Sequence, residues 1–206
     1  MDLNIPKEKE DIIYEKALKE FAVNGYDKAS TNTIVKEAGI SKGALFKYFG
    51  SKANLYIYVV DRAIATLDKL ILGNLENLPS DMFERIAYLT KVKVTVSMKY
   101  TLESSILVNS MSVEDEEIKK YINEKIAYYY GMLGKVFTEG IDYSRFKDYA
   151  NPQKVYEILS YISEGLCNKF IKKFDGNFQA MLDDIDCMYE DTFSCINFIK
   201  DSVYKR

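Results

Sequence analysis

The chain has 206 residues, of which 48% are hydrophobic and 29% charged, so it can build a sizeable core and lacks the composition of a disordered protein. It contains no histidine, which excludes Ser–His and Cys–His nucleophile pairs, histidine-ligated metal sites and acid–base catalysis by histidine. Carboxylate or lysine chemistry stays formally open, but we expect no enzymatic activity, no cofactor and no metal site.

The sequence also suggests where the protein works. No stretch reaches the roughly 18 uninterrupted apolar residues that a membrane-spanning helix needs, and the charged N-terminus is not followed by the apolar run of a signal peptide. Three cysteines, all late in the chain, are too few for a disulfide framework and are typical of reduced thiols. We therefore expect a cytoplasmic protein without membrane contact.

Helical periodicity fills the spaces between the three prolines, and no alternating strand pattern is present, so we predict an all-α fold with about nine helices. The predicted helices cover residues 6–25, 32–38, 42–48, 52–76, 81–100, 102–109, about 113–139, 152–174 and 178 to near the C-terminus. The predicted N-caps are Ser41, Ser51, Ser80 and Asn151, and the predicted stops are Gly25 and Gly50. Residues 140–152 form a loop long enough to suggest function or mobility.

Residues 31–52 contain two of these short helices, joined by a turn at Gly39. The two helices can bury their apolar residues against each other and against the first helix if they cross steeply, and Gly39 permits the left-handed turn that such a crossing requires. The apolar residues are Ile34, Val35, Ala38, Ile40, Leu45 and Phe49. The pattern predicts a three-helix unit that contains a helix-turn-helix.

This unit is basic within an acidic chain. Residues 27–52 hold five lysines and two acidic residues, a net charge of +3, whereas the whole chain carries −3. Lys42 and Lys52 each fall in the first turn of a predicted helix, where the positive end of the helix dipole disfavours a lysine by about 0.3–1 kcal/mol. An external phosphate would satisfy both the lysines and the free helix N–H groups. We interpret the unit as a site that binds a polyanion.

The segment STNTIVKEAGISKGALFKYFGSKANLY resembles the DNA-binding segment of the TetR family of transcriptional repressors, and the resemblance covers about residues 10–56. It implies a homodimer whose third helix reads the major groove of an inverted-repeat operator. It also implies a helix-turn-helix DNA-binding domain over residues 1–50 and a larger helical effector-binding and dimerisation domain over residues 51–206.

Site residues are transferred from the family by position. The implied backbone contacts are Thr31, Thr33, Ser41, Lys47, Tyr48 and Lys52, and the residues nearest the base edges are Lys42, Gly43 and Ala44. Two positions depart from the family pattern, because Phe46 lacks a hydroxyl usual there and Ala44 replaces a common threonine. Ala44 offers only a methyl group, which suits contact with a thymine methyl.

Two further sets of residues are assigned to the larger domain. Aromatic and methionine residues on the middle helices suit an adaptable ligand pocket, although for each position taken alone an ordinary core is the favoured interpretation. The pocket candidates are Tyr88, Met98, Tyr100, Met111, Tyr128, Tyr129, Met132 and Phe137. Broad apolar stripes on the last two helices suit a dimer interface, with an intrachain core as the alternative. The interface candidates are Ile158, Ile162, Gly165, Leu166, Ile185, Tyr189, Phe193 and Ile196.

These predictions describe a DNA-binding transcriptional regulator, a repressor that a small-molecule effector of unknown identity releases from its operator. The alternative is an all-α ligand-binding or scaffolding protein whose N-terminal unit contacts protein instead of DNA. The sequence does not specify the effector, the operator or the direction of regulation.

Overall fold

The structure is a computed structural model that describes residues 5–175 and 177–205, with the side chains of residues 129–133 outside the described set. The α-helices are α1 (Lys7–Lys28), α2 (Thr31–Glu37), α3 (Lys42–Phe49), α4 (Lys52–Leu72), α5 (Met82–Lys99), α6 (Thr101–Ser110), α7 (Glu116–Thr138), α8 (Pro152–Lys173), α9 (Phe178–Asp183) and α10 (Ile185–Val203). A 3₁₀ turn covers Tyr143–Arg145. Within the described residues there is no strand, only one isolated bridge between Phe146 and Tyr204. The all-α prediction is confirmed.

The helix boundaries differ from the prediction at several places. The last helix is divided at Asp184, so the described residues hold ten α-helices where about nine were predicted. The fourth helix ends at Leu72 instead of continuing to residue 76, since Gly73 follows and glycine is a poor helix former. Helix α5 is capped by Asp81 and not by Ser80, because the Asp81 carboxylate accepts the N–H groups of Phe83 and Glu84 at 2.9 and 3.0 Å.

The first helix also differs from the prediction. It continues through Gly25 to Lys28, but Gly25 has φ 68° and ψ 175°, so two helical segments meet there at a kink. Glycine adopts this left-handed φ without a steric penalty, which explains why the kink falls at this residue. The predicted stop at Gly25 therefore marks a real break in helical geometry, followed by one more turn.

The chain divides into two compact units. The first contains the chain up to Leu72 together with Val96–Lys125, and the second contains Gly73–Thr95 and the chain from Ile126 onward. These units are defined by packing, whereas the predicted boundary at residue 50 was defined by function. That boundary stays a prediction.

The first unit is built on α1, α4 and α6. Helix α1 buries one face that includes Ile13, Ala17 and Phe21, and α6 packs against both α1 and α4. Helix α4 is the most buried element, with Leu55, Tyr56, Val59, Val60 and Ala63 all at 0% exposure. Helices α2 and α3 attach to this unit at the end of α1.

The second unit has its own apolar core, formed by α5, α8, α10 and the segment between α7 and α8. The core consists of Met82, Phe83, Ile141, Phe146, Val155, Leu159, Ile196 and Tyr204. The loop predicted over residues 140–152 is tied to the end of the chain, because Lys147 and Lys205 donate their backbone N–H groups to Val203 and Arg145 at 2.8 and 2.9 Å.

Buried charges in the second unit organise the ends of its helices. Arg85 is only 4% exposed, and its guanidinium donates to the backbone carbonyls of Pro79, Val136 and Glu139 at 2.6–2.7 Å. Burial lowers the pKa of Arg85, but the carbonyls supply the acceptors that a buried guanidinium needs. Asp81 pairs with Arg145, so these two charges join the start of α5 to the 3₁₀ turn.

Candidate nucleic-acid interface

Local sequence signals position the helix-turn-helix. The Ser41 hydroxyl accepts the N–H of Ala44 at 3.1 Å and caps α3, while Gly39 adopts φ 65° in the turn between α2 and α3. Ile34, Leu45 and Phe49 are buried between the helices. These are the cap, turn and core residues that the sequence predicted for this segment.

A carboxylate from α1 sets the start of α2. Glu20 accepts the backbone N–H of Ser30 at 2.8 Å, and the Ser30 hydroxyl accepts the N–H of Thr33 at 3.4 Å. Ser30 is therefore held by α1 on one side and caps α2 on the other. Neither Glu20 nor Ser30 was predicted to have this role, although a serine one residue before a helix is a recognised cap signal.

All the predicted DNA-contacting residues reach the surface. Ser41, Lys42, Gly43 and Lys47 are exposed, and Thr31, Thr33, Ala44, Tyr48 and Lys52 are half-buried. Phe46, which lacks the family's hydroxyl, is also half-buried. One side of α3 thus presents small and cationic groups, with its apolar side directed into the unit.

The lysines of this surface differ in their surroundings. Neither Lys42 nor Lys47 is paired with a carboxylate among the described residues, whereas Lys52 donates to the backbone carbonyl of Asp27 at 3.2 Å. Its ammonium group also lies 4.9 Å from the centre of the Tyr26 ring.

The Ser51 hydroxyl accepts the N–H of Asn54 at 3.0 Å, which confirms the predicted cap of α4.

Helix α3 carries two lysines, Lys42 and Lys47, that have no carboxylate partner among the described residues, and the starts of α3 and α4 are both capped. This arrangement is suited to the phosphate backbone and major groove of DNA. Residues 13–59 match the family described as bacterial regulatory proteins, tetR family. The match covers 47 of the 206 residues, so this N-terminal segment is similar to the TetR family of transcriptional regulators. Together with the geometry of α3, the match identifies the chain as a DNA-binding regulator.

Two curated relatives of this chain come from Bacillus subtilis. A fatty acid metabolism regulator protein is 23% identical over 142 residues, which cover 66% of this chain and 70% of that protein. An uncharacterised helix-turn-helix transcriptional regulator is 49% identical over 55 residues, which cover 27% of this chain and 19% of that protein. The matches favour a DNA regulator over the alternative of a scaffolding protein.

A solved structure shows the same fold over nearly the whole chain. It is a putative transcriptional regulator from Saccharomonospora viridis in complex with choline, with a TM-score of 0.70 and 18% identity. The match covers 98% of this chain and 100% of that one. At this identity the likeness establishes the fold and no more.

The pocket candidates are distributed over both compact units. Met98, Tyr100 and Met111 lie in the first unit, and Tyr88, Tyr128 and Phe137 lie in the second. Met98, Met111 and Tyr128 are exposed, and the other three are half-buried. The side chains of Tyr129 and Met132 lie outside the described residues. The ligand pocket stays a prediction.

The interface candidates lie on α8 and α10, which pack against each other. Ile158 and Gly165 are exposed, and Ile162, Leu166, Ile185, Tyr189 and Phe193 are half-buried. Ile196 is different, because it is 7% exposed and belongs to the core of its own unit. Its contribution is therefore to the intrachain core, which was the alternative interpretation of this stripe.

Among the residues that the structure describes, no helix is long and apolar enough to span a membrane. No group of three or more cysteine, aspartate or glutamate side chains is placed to hold a metal ion within the same residues.

Proposed function

We propose that the protein is a homodimeric repressor that binds an inverted-repeat operator through α3 and leaves it when a small molecule binds. The observation that carries the proposal is the exposed face of α3, where Lys42 and Lys47 have no carboxylate partner among the described residues. A cationic helix of this kind gains most from a polyanion, because no internal ion pair must first be broken. The proposal includes a cytoplasmic location and no enzymatic activity.

Titration of DNA at several salt concentrations tests this role. The DNA is a labelled duplex from the region upstream of the protein's own gene, with a random-sequence duplex for comparison. The logarithm of the binding constant should fall linearly with the logarithm of salt concentration, by about 0.9 for each phosphate neutralised. Absence of binding to either duplex at low salt would exclude the proposed function.

Two substitutions separate phosphate contacts from base contacts. Lys47→Ala should weaken both duplexes alike and reduce the salt slope, because it removes a phosphate contact. Lys42→Ala should change the preference between sequences, since Lys42 is placed near the base edges. Lys172→Ala, which removes an exposed lysine on α8, is the charge-matched control and should leave both duplexes unaffected.

The proposed dimer uses the outer faces of α8 and α10. Ile158, Tyr161 and Phe198 are 39%, 67% and 74% exposed, a concentration of apolar surface that favours a partner. Gly165 has no atom within 4 Å of the place where a Cβ would lie, so a second surface can approach it closely. A second copy of α8 and α10 would cover these residues.

Light scattering tests the dimer directly. The double substitution Ile158→Glu and Phe198→Glu should convert a dimer into monomers, because it buries two charges at the proposed interface. Val23→Glu on α1 provides the control, since Val23 is 68% exposed and lies outside the proposed interface. A wild-type chain that is monomeric at micromolar concentration would contradict this part of the proposal.

The effector is proposed to be a small organic molecule. One relative is named as a regulator of fatty acid metabolism, and the structurally similar protein from Saccharomonospora viridis was solved with choline. Long-chain fatty acids and choline are therefore the first probes for a thermal-shift screen. A probe that raises the melting temperature and also weakens DNA binding would identify the class of effector.

A further inference from the structure

Lys52 does not extend freely into solvent, although it is one of the predicted phosphate contacts. Its ammonium group donates to the Asp27 carbonyl at 3.2 Å and lies 4.9 Å from the centre of the Tyr26 ring. Both partners belong to the last turn of α1, directly after the kink at Gly25. The end of α1 therefore determines where the charge at the start of α4 is located.

Tyr26 is itself held in place from two directions. Its ring packs edge-on against the fully buried ring of Tyr56, with centroids 5.1 Å apart. Its hydroxyl donates a long hydrogen bond of 3.4 Å to the carboxylate of Asp115. The other oxygen of Asp115 accepts the N–H groups of Glu117 and Ile118 at 3.1 and 3.2 Å, and so caps α7.

The protonation state of Tyr26 is suited to this arrangement. Burial, and then the carboxylate of Asp115, raise the pKa of the Tyr26 hydroxyl, which therefore remains a hydrogen-bond donor at neutral pH. Tyr26 therefore makes two separate contacts. Its hydroxyl donates to Asp115, and its electron-rich ring face is directed to the ammonium group of Lys52.

Holding a lysine in one place has a physical benefit for binding. An unrestrained lysine side chain loses rotamer entropy when a contact immobilises it. An ammonium group has three donors, and the Asp27 carbonyl uses only one of them. The remaining donors of Lys52 are available to a phosphate at the start of α4. Because the side chain is already held in place, it loses less rotamer entropy when the phosphate binds.

We propose that Tyr26 is a positioning residue for DNA binding, which holds Lys52 ready for a phosphate and is itself anchored to the first turn of α7 through Asp115. The inference rests on the DNA-binding function proposed above. It assigns a role to a residue outside the helix-turn-helix and connects that role to an element 89 residues away in sequence.

A double-mutant cycle on the full-length chain tests the proposal. The variants are Tyr26→Leu, Lys52→Met and the pair, each titrated with the random-sequence duplex over a range of salt concentrations. Lys52→Met should reduce the salt slope by about 0.9. Tyr26→Leu should weaken binding by about 2- to 5-fold in the wild-type background and have no effect when combined with Lys52→Met.

Further variants separate the ring from the hydroxyl and guard against misfolding. Tyr26→Phe keeps the ring and loses the anchor, so its affinity should lie between those of wild type and Tyr26→Leu. Asp115→Ser keeps a hydroxyl that can cap α7 and removes the oxygen that faces Tyr26, so it should behave like Tyr26→Phe. Melting temperatures are measured for all variants, and Tyr26→Met replaces Tyr26→Leu if the leucine variant does not fold.

Independent effects of Tyr26→Leu and Lys52→Met would overturn the proposal, because a purely structural role of Tyr26 weakens binding in both backgrounds. An unchanged affinity in Tyr26→Leu, or an unchanged salt slope in Lys52→Met, would also overturn it. A wild-type chain that binds no duplex at low salt would instead show that the DNA-binding function fails, so the two failures are distinguishable.

Discussion

Tyr56 on α4 shows how a single residue can limit the stability of the first unit. Its side chain is fully buried, and its ring contacts those of Phe21 and Tyr26 at centroid distances of 4.9 and 5.1 Å. Its hydroxyl has no hydrogen-bond partner among the residues that the structure describes. A buried hydroxyl without a partner loses its bonds to water on folding, and this costs free energy.

We expect Tyr56→Phe to stabilise the protein by about 1 kcal/mol, because it removes the unpaired hydroxyl and keeps both ring contacts. The measurement is the free energy of unfolding in urea at neutral pH. Phe21→Leu, which removes one of the ring partners, provides the comparison and should destabilise. A less stable Tyr56→Phe variant would mean that the hydroxyl has a partner in solution.

Buried tyrosines also determine how the protein responds to alkaline pH. Burial raises the pKa of Tyr14 and of Tyr58 to about 12, from the ordinary value of 10.0, and raises that of Tyr56 further. Because the folded pKa values are raised, the folded state binds protons more tightly than the unfolded state above pH 10. The resulting stability is complete below pH 10 and is lost as pH rises toward about 12.

The raised pKa values predict that the free energy of unfolding falls between pH 10 and about 12. Tyrosinate absorbance should appear at higher pH in the folded protein than in the protein unfolded in urea. Tyr56→Phe should make the fall shallower, since it removes a group whose pKa is raised further than those of Tyr14 and Tyr58. A free energy of unfolding that stays constant over this range would contradict the assignment.

Asp81 is the acidic residue whose loss should cost most in the second unit. It is 6% exposed, caps α5 through two backbone N–H groups and pairs with Arg145, whose side chain is half exposed. Asp81→Ala should reduce the free energy of unfolding by about 2 kcal/mol, from the lost cap and the unpaired arginine. Asp148→Ala is the control, because its ion pair with Lys205 is exposed and should contribute less than about 1 kcal/mol.

Among the helices, α6 has a specific role at the kink of α1. The non-helical backbone at Gly25 interrupts the regular i to i−4 hydrogen bonds, and the Ala22 carbonyl is accessible to other donors. The Ser105 hydroxyl and the Asn109 amide both donate to this carbonyl at 3.0 Å. Helix α6 therefore supports the kink that directs the chain toward the helix-turn-helix.

Because Ser105 and Asn109 donate to the same carbonyl, the effects of removing them on the free energy of unfolding should not be additive. Ser105→Ala or Asn109→Leu alone should cost about 0.5 kcal/mol, because the other donor still satisfies the carbonyl. The double variant should cost about 1–3 kcal/mol, since a partly buried carbonyl is then left without a side-chain donor. Urea denaturation of the four proteins measures the coupling, and strictly additive costs would contradict a shared acceptor.

At the scale of the whole molecule, the spacing of the two α3 helices in the proposed dimer decides whether an operator can be bound. Successive major grooves on one face of DNA lie about 34–36 Å apart, so both α3 helices of a dimer must match that distance. Helix α4 starts beside the proposed phosphate contact and has 21 residues, or about 31 Å at 1.5 Å per residue. A ligand that tilts α4 would change the spacing.

We therefore expect the effector to weaken DNA binding without dissociating the dimer. The measurement pairs a DNA titration with light scattering, each with and without the probe identified by thermal shift. Ligand-induced monomers would indicate release by dissociation instead. If the probe binds and the DNA affinity does not change, the probe is not the effector.

Local signals made part of this structure predictable. The cap at Ser41, the turn at Gly39 and the cap and first-turn pair Asn151 and Pro152 all occur where predicted, because each depends on residues within a few positions. The cap of α5 was misassigned, since Ser80 and Asp81 are both good capping residues and only the buried pairing with Arg145 distinguishes them.

By itself, the sequence determined the all-α class, the helix-turn-helix and its basic surface, because periodicity, caps and charge are properties of short stretches of chain. Only the tertiary structure decided that Ile196 faces a core, that α6 supports the kink at Gly25, and that Tyr26 lies between Lys52 and Asp115. These contacts join residues far apart in sequence, and packing of whole helices selects them. Patterns within short stretches of the sequence do not reveal these contacts.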